Sequence, residues 1–466
     1  MEPILKPSAR SLKLMVLAAL ATAGVAAVLV TIVMHKVEEQ KPYTQVAPVD
    51  ESTDDPAVWG LNFPHQYDSY KKTALSGRTR FGGSEAFSHL ESQPHLKAIF
   101  NGYAFGVDYN EERGHAYTLA SQKETKRVSD FKQPGACLHC HASVLPLYRE
   151  LGEGDVMKGF AKANPMPLKE LHAHPKVKHP VSCLDCHDPK TNELRITRPG
   201  FLEGIKVLKA SEGVKDYDPN KHATRQELRS FACAQCHVEY YFKGDEKRLT
   251  YPWHNGLKME DAEAYYDQVK HVDWIHADSG APVLKAQHPE FELFSQGIHA
   301  KNGVACADCH MPYMRAGAAK VSDHHVRSPL LNVRKACLNC HSASEDEMTA
   351  RVIEIQNRTK GLMDRSQQAV VDLIRVAAQL KAAGASAEDM KEVHALQRKA
   401  QWRADYVNAE NSMGFHAPQE AARILGEAID YARQGELKAN QLLNARKRLA
   451  HSTGGAALVQ RVLGQP

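Results

Sequence analysis

All ten cysteines of this 466-residue chain fall in five copies of one pentapeptide, C-x-x-C-H. The copies are Cys137-Leu-His-Cys140-His141, Cys183-Leu-Asp-Cys186-His187, Cys233-Ala-Gln-Cys236-His237, Cys306-Ala-Asp-Cys309-His310 and Cys337-Leu-Asn-Cys340-His341. That spacing serves covalent c-type haem attachment. Two thiols on one turn reach the two vinyl groups of a haem, and the adjacent imidazole turns back onto its iron. Five disulfides would also use ten cysteines in an exported protein, but they give no reason for histidine to follow every second cysteine. Structural zinc sites take four ligands, often as two Cys-x-x-Cys pairs, and five pairs do not divide that way. A thioredoxin-like motif would occur once. The chain therefore has to fold around five covalently bound haem c groups.

Such groups change what the rest of the sequence must supply. Only 7% of residues are aromatic, and the stretch from Cys137 to His341 is polar and loop-rich, so the macrocycles themselves serve as core. Net charge is 59 − 55 = +4 without a basic stripe, which gives nucleic-acid binding no support. At the N-terminus Lys6, Arg10 and Lys13 precede an unbroken apolar run from Met15 to Met34. Its length at helical rise matches a bilayer core, and the basic flank places the N-terminus in the cytoplasm. The exit Val-Thr-Ile-Val-Met-His-Lys lacks the small residues of a cleavage site. An uncleaved inner-membrane anchor is favoured over a cleaved signal peptide; either way the remainder is periplasmic.

Four segments follow: 1–36, the anchor or signal segment; 37–60, a polar linker; 61–345, the pentahaem region that holds any catalytic site; and 346–466, a helical module suited to dimerisation. Motif gaps of 46, 50, 73 and 31 residues argue against a repeat array. Past His341 the pattern turns helical: Val370, Leu373, Ile374, Ala377 and Leu380 recur at i, i+3, i+4 and i+7. Gly384 suits a C′ position, Ser386 with Asp389 an N-cap and its N3 acid, and Pro418 the first turn of a further helix. The fold class is mostly α, a multihaem cytochrome c fold with long C-terminal helices.

Each iron takes two axial ligands. The motif histidines His141, His187, His237, His310 and His341 supply one apiece, and twenty other histidines (25 − 5) remain. Counting cannot separate an electron carrier with every iron closed from an enzyme with one iron open.

Six strings bear on that choice: Asp108-Tyr-Asn-Glu-Glu-Arg-Gly-His115, Cys233-Ala-Gln-Cys-His-Val-Glu-Tyr-Tyr241, Lys285-Ala-Gln-His-Pro-Glu290, Gly297-Ile-His-Ala-Lys-Asn302, Cys306-Ala-Asp-Cys-His-Met-Pro312 and His416-Ala-Pro-Gln-Glu-Ala421. In order and spacing they resemble the pentahaem cytochrome c nitrite reductases that form ammonia, over roughly residues 60 to 445. The resemblance implies four bis-histidine haems. His115 would serve the haem of His237, His299 that of His341, and His416 that of His310. His324, with His325 as the alternative, would serve that of His187. The open position then falls on the first haem, bound through Cys137 and Cys140. There the family motif commonly ends in lysine; this chain has His141, as some members do.

The resemblance also implies Arg113, Tyr240 and His288 as the groups that hold and protonate nitrite. Calcium would be bound by Glu239, Tyr240, Lys285 and Gln287, through the carboxylate, two backbone carbonyls and the amide oxygen, the hard donors that this ion takes. Implied partners are nitrite, a quinol-oxidising multihaem membrane cytochrome or a soluble multihaem cytochrome as electron donor, and a second copy of the chain. The rival function is a pentahaem electron-transfer protein without catalysis.

Overall fold

The computed structural model describes residues 8–39, 45–111, 113–317 and 319–463. One helix, Ala9–Glu39, forms a unit of its own with the residues up to Val46. Its Ala9–Met34 stretch has a mean hydropathy of 2.5 and is long and apolar enough to cross a membrane.

Ala47 to Pro466 form the second unit. It begins inside the stretch expected to be a linker, which corrects that boundary. Val49 and Trp59 are buried with Leu145 and Leu184, beside the second attachment motif. The Trp59 indole also donates to the Thr53 carbonyl at 2.7 Å.

Most of this unit is short helices and turns. Among the described residues its strands form three two-stranded antiparallel hairpins: Tyr241–Lys243 with Arg248–Thr250, Trp274–Ile275 with Pro282–Val283, and Tyr313–Ala316 with Ala319–Ser322. Three long helices follow, Glu345–Ala382, Ala387–Ala409 and Pro418–Leu463. Ser344 caps the first through a capping box with Glu347, more than two turns before the apolar periodicity begins. Ser386 caps the second in the same way with Asp389, and Gly384 takes a left-handed φ of 75° between them. Leu373, Ala377 and Leu380 bury completely against Val393 and Ala439 of the other two helices. Each large aliphatic side chain buried so contributes about 1.5–3 kcal/mol.

The helices are not a separate module. Trp402, Tyr406, Ile424 and Leu425 share one core with Tyr241, Tyr265, Tyr266 and Leu284 of the preceding region. That shared core fixes the C-terminal segment carrying His416 against the attachment motifs.

Candidate haem and substrate sites

Each C-x-x-C-H motif occupies one helical turn. In the second, third and fifth, the histidine N–H donates to the carbonyl of the first cysteine, at 2.9, 3.1 and 3.0 Å; Leu138–His141 and Cys306–His310 are helical. Positions i, i+3 and i+4 of a turn share a face, so both thiols and the imidazole address one side. All ten thiols are free, and no disulfide framework exists.

Four motif histidines face a second histidine across a narrow gap. Ring centroids are 6.4 Å apart for His237 and His115, 6.2 Å for His187 and His324, 6.4 Å for His310 and His416, and 6.2 Å for His341 and His299. Two imidazole–metal bonds of about 2 Å, with about 1.1 Å from nitrogen to centroid on each side, give about 6 Å. The gaps therefore fit one iron each. Second partners orient the rings: Nδ1 of His187, His310 and His324 meets the carbonyls of Asn192, Arg327 and Ser322 at 2.9, 3.1 and 2.9 Å. A donor role at Nδ1 leaves the Nε2 lone pair for a metal. Burial lowers the pKa of His115, His187 and His310 to about 4, which keeps them neutral, as ligation requires. For His237, burial also opposes the charge, but Glu290 raises its pKa to about 9. Close backbone approach sets two of these partners. A Cβ on Gly297 would lie 2.0 Å from the His416 carbonyl, and one on Gly114 would lie 2.1 Å from that of Thr73.

His325, the alternative to His324, is not the ring facing His187; its N–H is held by Asp323 at 3.0 Å.

At the first motif, His141 Nδ1 lies 3.2 Å from the Thr118 carbonyl. Tyr240 packs with Cys137 against the same core. Burial, then Cys137 and Cys140, hold its phenol well above the ordinary pKa. His288, with its side chain 37% exposed, has Nδ1 4.0 Å from the buried Glu290 carboxylate. Arg113 donates to Glu124 at 2.7 Å and to Ser121 at 3.1 Å, and its guanidinium covers the Tyr117 ring at 4.3 Å. The structure thus brings Tyr240 to the first motif and holds Arg113 in an ion pair with Glu124, eleven residues on. Arg127 escaped the sequence reading. Its guanidinium lies 4.3 Å over the Phe105 ring and opposes the rise at both Cys137 and Tyr240. Nothing in a lone arginine between lysine and valine marks it.

Three of the four calcium candidates, Glu239, Lys285 and Gln287, converge. Glu239 is fully buried, and its carboxylate accepts from Gln287 N at 2.6 Å and from the Tyr266 hydroxyl at 2.8 Å. The Gln287 side chain meets the Lys285 carbonyl at 3.4 Å. The Lys285 ammonium turns away to the buried Asp405, at 3.1 Å. Glu292, also unforeseen, accepts from Glu239 N at 2.9 Å and from the Trp253 indole at 2.7 Å. Burial raises the pKa of both acids, that of Glu292 to about 8. Among the described residues no three His, Cys, Asp or Glu side chains form a metal cluster. A cation here would lean on carbonyl and amide oxygens, which suits calcium.

Attachment turns, paired imidazoles and a mostly helical body define a multihaem c-type cytochrome. The sequence profile of the cytochrome c552 family matches residues 55–453, and the chain belongs to that family. It is 39% identical over 393 residues to a cytochrome c-552 of Parabacteroides distasonis, covering 82% of this chain and 76% of that protein. A cytochrome c-552 of Bacteroides fragilis is 40% identical over 396 residues, covering 83% and 76%. The fold matches the cytochrome c nitrite reductase catalytic subunit (NrfA) of Desulfovibrio desulfuricans, a structure described with two calcium sites. The TM-score is 0.76 at 30% identity, over 85% of this chain and 88% of that one.

Proposed function

We propose that this chain is an exported nitrite reductase that forms ammonium at the first of five haem c sites. The observation that carries it is the set of four histidine pairs at one-iron spacing, joined to the likeness to a nitrite reductase catalytic subunit. His115 and His237, His324 and His187, His416 and His310, and His299 and His341 would be axial pairs, with His141 the proximal ligand of the first site. When bound, the haems supply electron storage and an iron that can take nitrite.

The chain's own groups do the rest. Converting nitrite to ammonium and water takes six electrons and eight protons. Tyr240, held protonated, donates a hydrogen bond and does not act as a base at neutral pH. His288 exchanges protons with solvent through its exposed edge, beside the Glu290 carboxylate. Arg113 offers a permanent planar cation for an oxyanion, which requires it to exchange Glu124 for substrate. Calcium between Glu239, the Tyr240 and Lys285 carbonyls and Gln287 would brace the segments carrying Tyr240 and His288 and add positive field. The three long helices serve dimerisation, and electrons come from a multihaem cytochrome, quinol-oxidising or soluble. The apolar helix Ala9–Met34 tethers the protein on the periplasmic side.

The test is nitrite-to-ammonium turnover with reduced viologen. Wild type is expected to release ammonium, and Arg113→Ala to lose at least about tenfold in kcat/KM. No ammonium from wild type, with an entirely low-spin ferric spectrum, would leave an electron carrier.

A further inference from the structure

The third residue of each C-x-x-C turn is chemically free, yet four of the five reach inward to specific partners. His139 is fully buried, with Nδ1 3.3 Å from the Tyr148 hydroxyl. Asp185 and Gln235 are 1% and 2% exposed. Asp308 pairs with Arg229 at 2.7 Å. The first three converge on one short segment, Thr197-Arg198-Pro199-Gly200.

Arg198 is 1% exposed. Its Nη2 donates to the carbonyl of Ala142, next to the first motif, at 2.7 Å, and meets Asp185 of the second motif at 3.1 Å. The N–H groups of Thr197 and Arg198 both donate to Gln235 Oε1 of the third motif, at 2.8 and 2.9 Å. Gln235 Nε2 and the Thr197 hydroxyl return to the Asp185 carbonyl, at 3.3 and 2.8 Å. Gly200 backs onto His139, where a Cβ would sit 3.1 Å from Nε2. Three attachment turns, 46 and 50 residues apart, thus share one buried knot.

We infer that Arg198 is a positioning residue that holds the first three haem-attachment turns at fixed separation and so sets the electron path into the first site. A buried ion pair is weak evidence for stability, because apolar residues of similar volume often replace one at no loss. Here one guanidinium nitrogen, Nη2, lies between a carbonyl beside one turn and a carboxylate of another. A lysine ammonium, on a shorter and more flexible stem, is not held in that plane between the two. Gln235 of the third motif, held by the N–H groups of Thr197 and Arg198, stands beside the first motif through the same residue that binds the Ala142 carbonyl. The groups these turns would hold would supply one-electron transfer into the first site, oxidising one as the other is reduced, with no bond broken and no proton moved. Electron transfer falls steeply with distance, so a loosened turn slows it.

This rests on the five-haem assignment but not on nitrite as substrate. The experiment is therefore stopped-flow reduction by reduced viologen without nitrite, following high-spin and low-spin bands separately. Wild type, Arg198→Lys and the double variant Arg198→Met with Asp185→Leu are compared after counting haems by the pyridine haemochrome assay. Five haems in wild type secure the underlying assignment separately. Both variants are expected to keep five haems and normal low-spin phases, while the high-spin phase slows severalfold. A fully loaded Arg198→Lys protein with a wild-type high-spin phase would overturn the proposal. So would a defect spread equally over all phases, or haem loss in that variant, since either marks a general folding role.

Discussion

Asp405 offers the sharpest test of how the segment between Lys285 and His288 is held. Both side chains of the Lys285–Asp405 pair are 1% exposed, with nitrogen and oxygen 3.1 Å apart. Asp405 also accepts from Ala286 N at 2.8 Å. Replacing Asp405 with leucine leaves a buried ammonium without its counter-charge, which costs about 3–5 kcal/mol. It also leaves the Ala286 N–H unsatisfied, worth about 1–3 kcal/mol more. The faces of Phe105, Phe100 and Tyr109, 4.8, 5.1 and 5.4 Å from Lys285 Nζ, retain part of the cation's stabilisation and pull the total towards its lower end. Adding Lys285→Met removes the stranded charge but not the orphaned N–H. The double variant should therefore recover about 3–5 kcal/mol and remain about 1–3 kcal/mol below wild type. Denaturant unfolding at fixed calcium measures this, since a bound ion would itself shift the midpoint. A single variant as stable as wild type, or a double variant less stable than the single, refutes the account.

Other outcomes follow from the same contacts. His324→Ala should convert one low-spin haem to high-spin in the ferric EPR spectrum, and His325→Ala should not; the reverse pattern would reassign the ligand. Glu292 keeps its proton to about pH 8 when folded but loses it near its ordinary value of about 4.3 when unfolded. The native state then binds the extra proton, so calcium-free stability should fall between those values by up to about 1.4 kcal/mol per pH unit. Glu292→Gln should flatten that slope; an unchanged slope would place its origin elsewhere. Gly297→Ala forces a Cβ into the His416 carbonyl and should disturb the signatures of both the His310 and His341 haems, because Gly297 also precedes His299. Retention of both signatures would show that the segment yields. Trp59→Ala should cost about 3–5 kcal/mol if residues from Ala47 belong to the core, against almost nothing for a linker; thermal unfolding decides.

What could be seen in the sequence tracks the range of the forces involved. Attachment turns are local, three to five residues long, so a regular expression finds them. The caps at Ser386 and Asp389 and the stripe from Val370 to Leu380 are local too, and both stand where the pattern put them. Histidine pairing is not local: His187 and His324 lie 137 residues apart (324 − 187), and only the resemblance joined them before the geometry did. The start of the first long helix at Glu345 lies one residue before the 346 boundary of the expected helical module, although its first turns are charged and only the later stripe is apolar. Trp59 was hidden in a short apolar run from Ala57 to Leu61, whose packing surface is supplied from afar by Leu145 and Leu184.

Arg127 and Arg198 were the least visible, for a common reason. An arginine reads as solvent charge in any one-dimensional pattern, and burial is the exception. Here each is held by what surrounds it: Arg127 by an aromatic face, Arg198 by a carboxylate and a carbonyl from two different turns. The clue that does exist for Arg198 lies in the pentapeptides themselves. The positions between the cysteines are free as far as haem attachment goes, so Asp185 and Gln235 there mark turns that must also bind something polar. Because the partner they share sits in neither turn, its identity emerges only when the chain is folded.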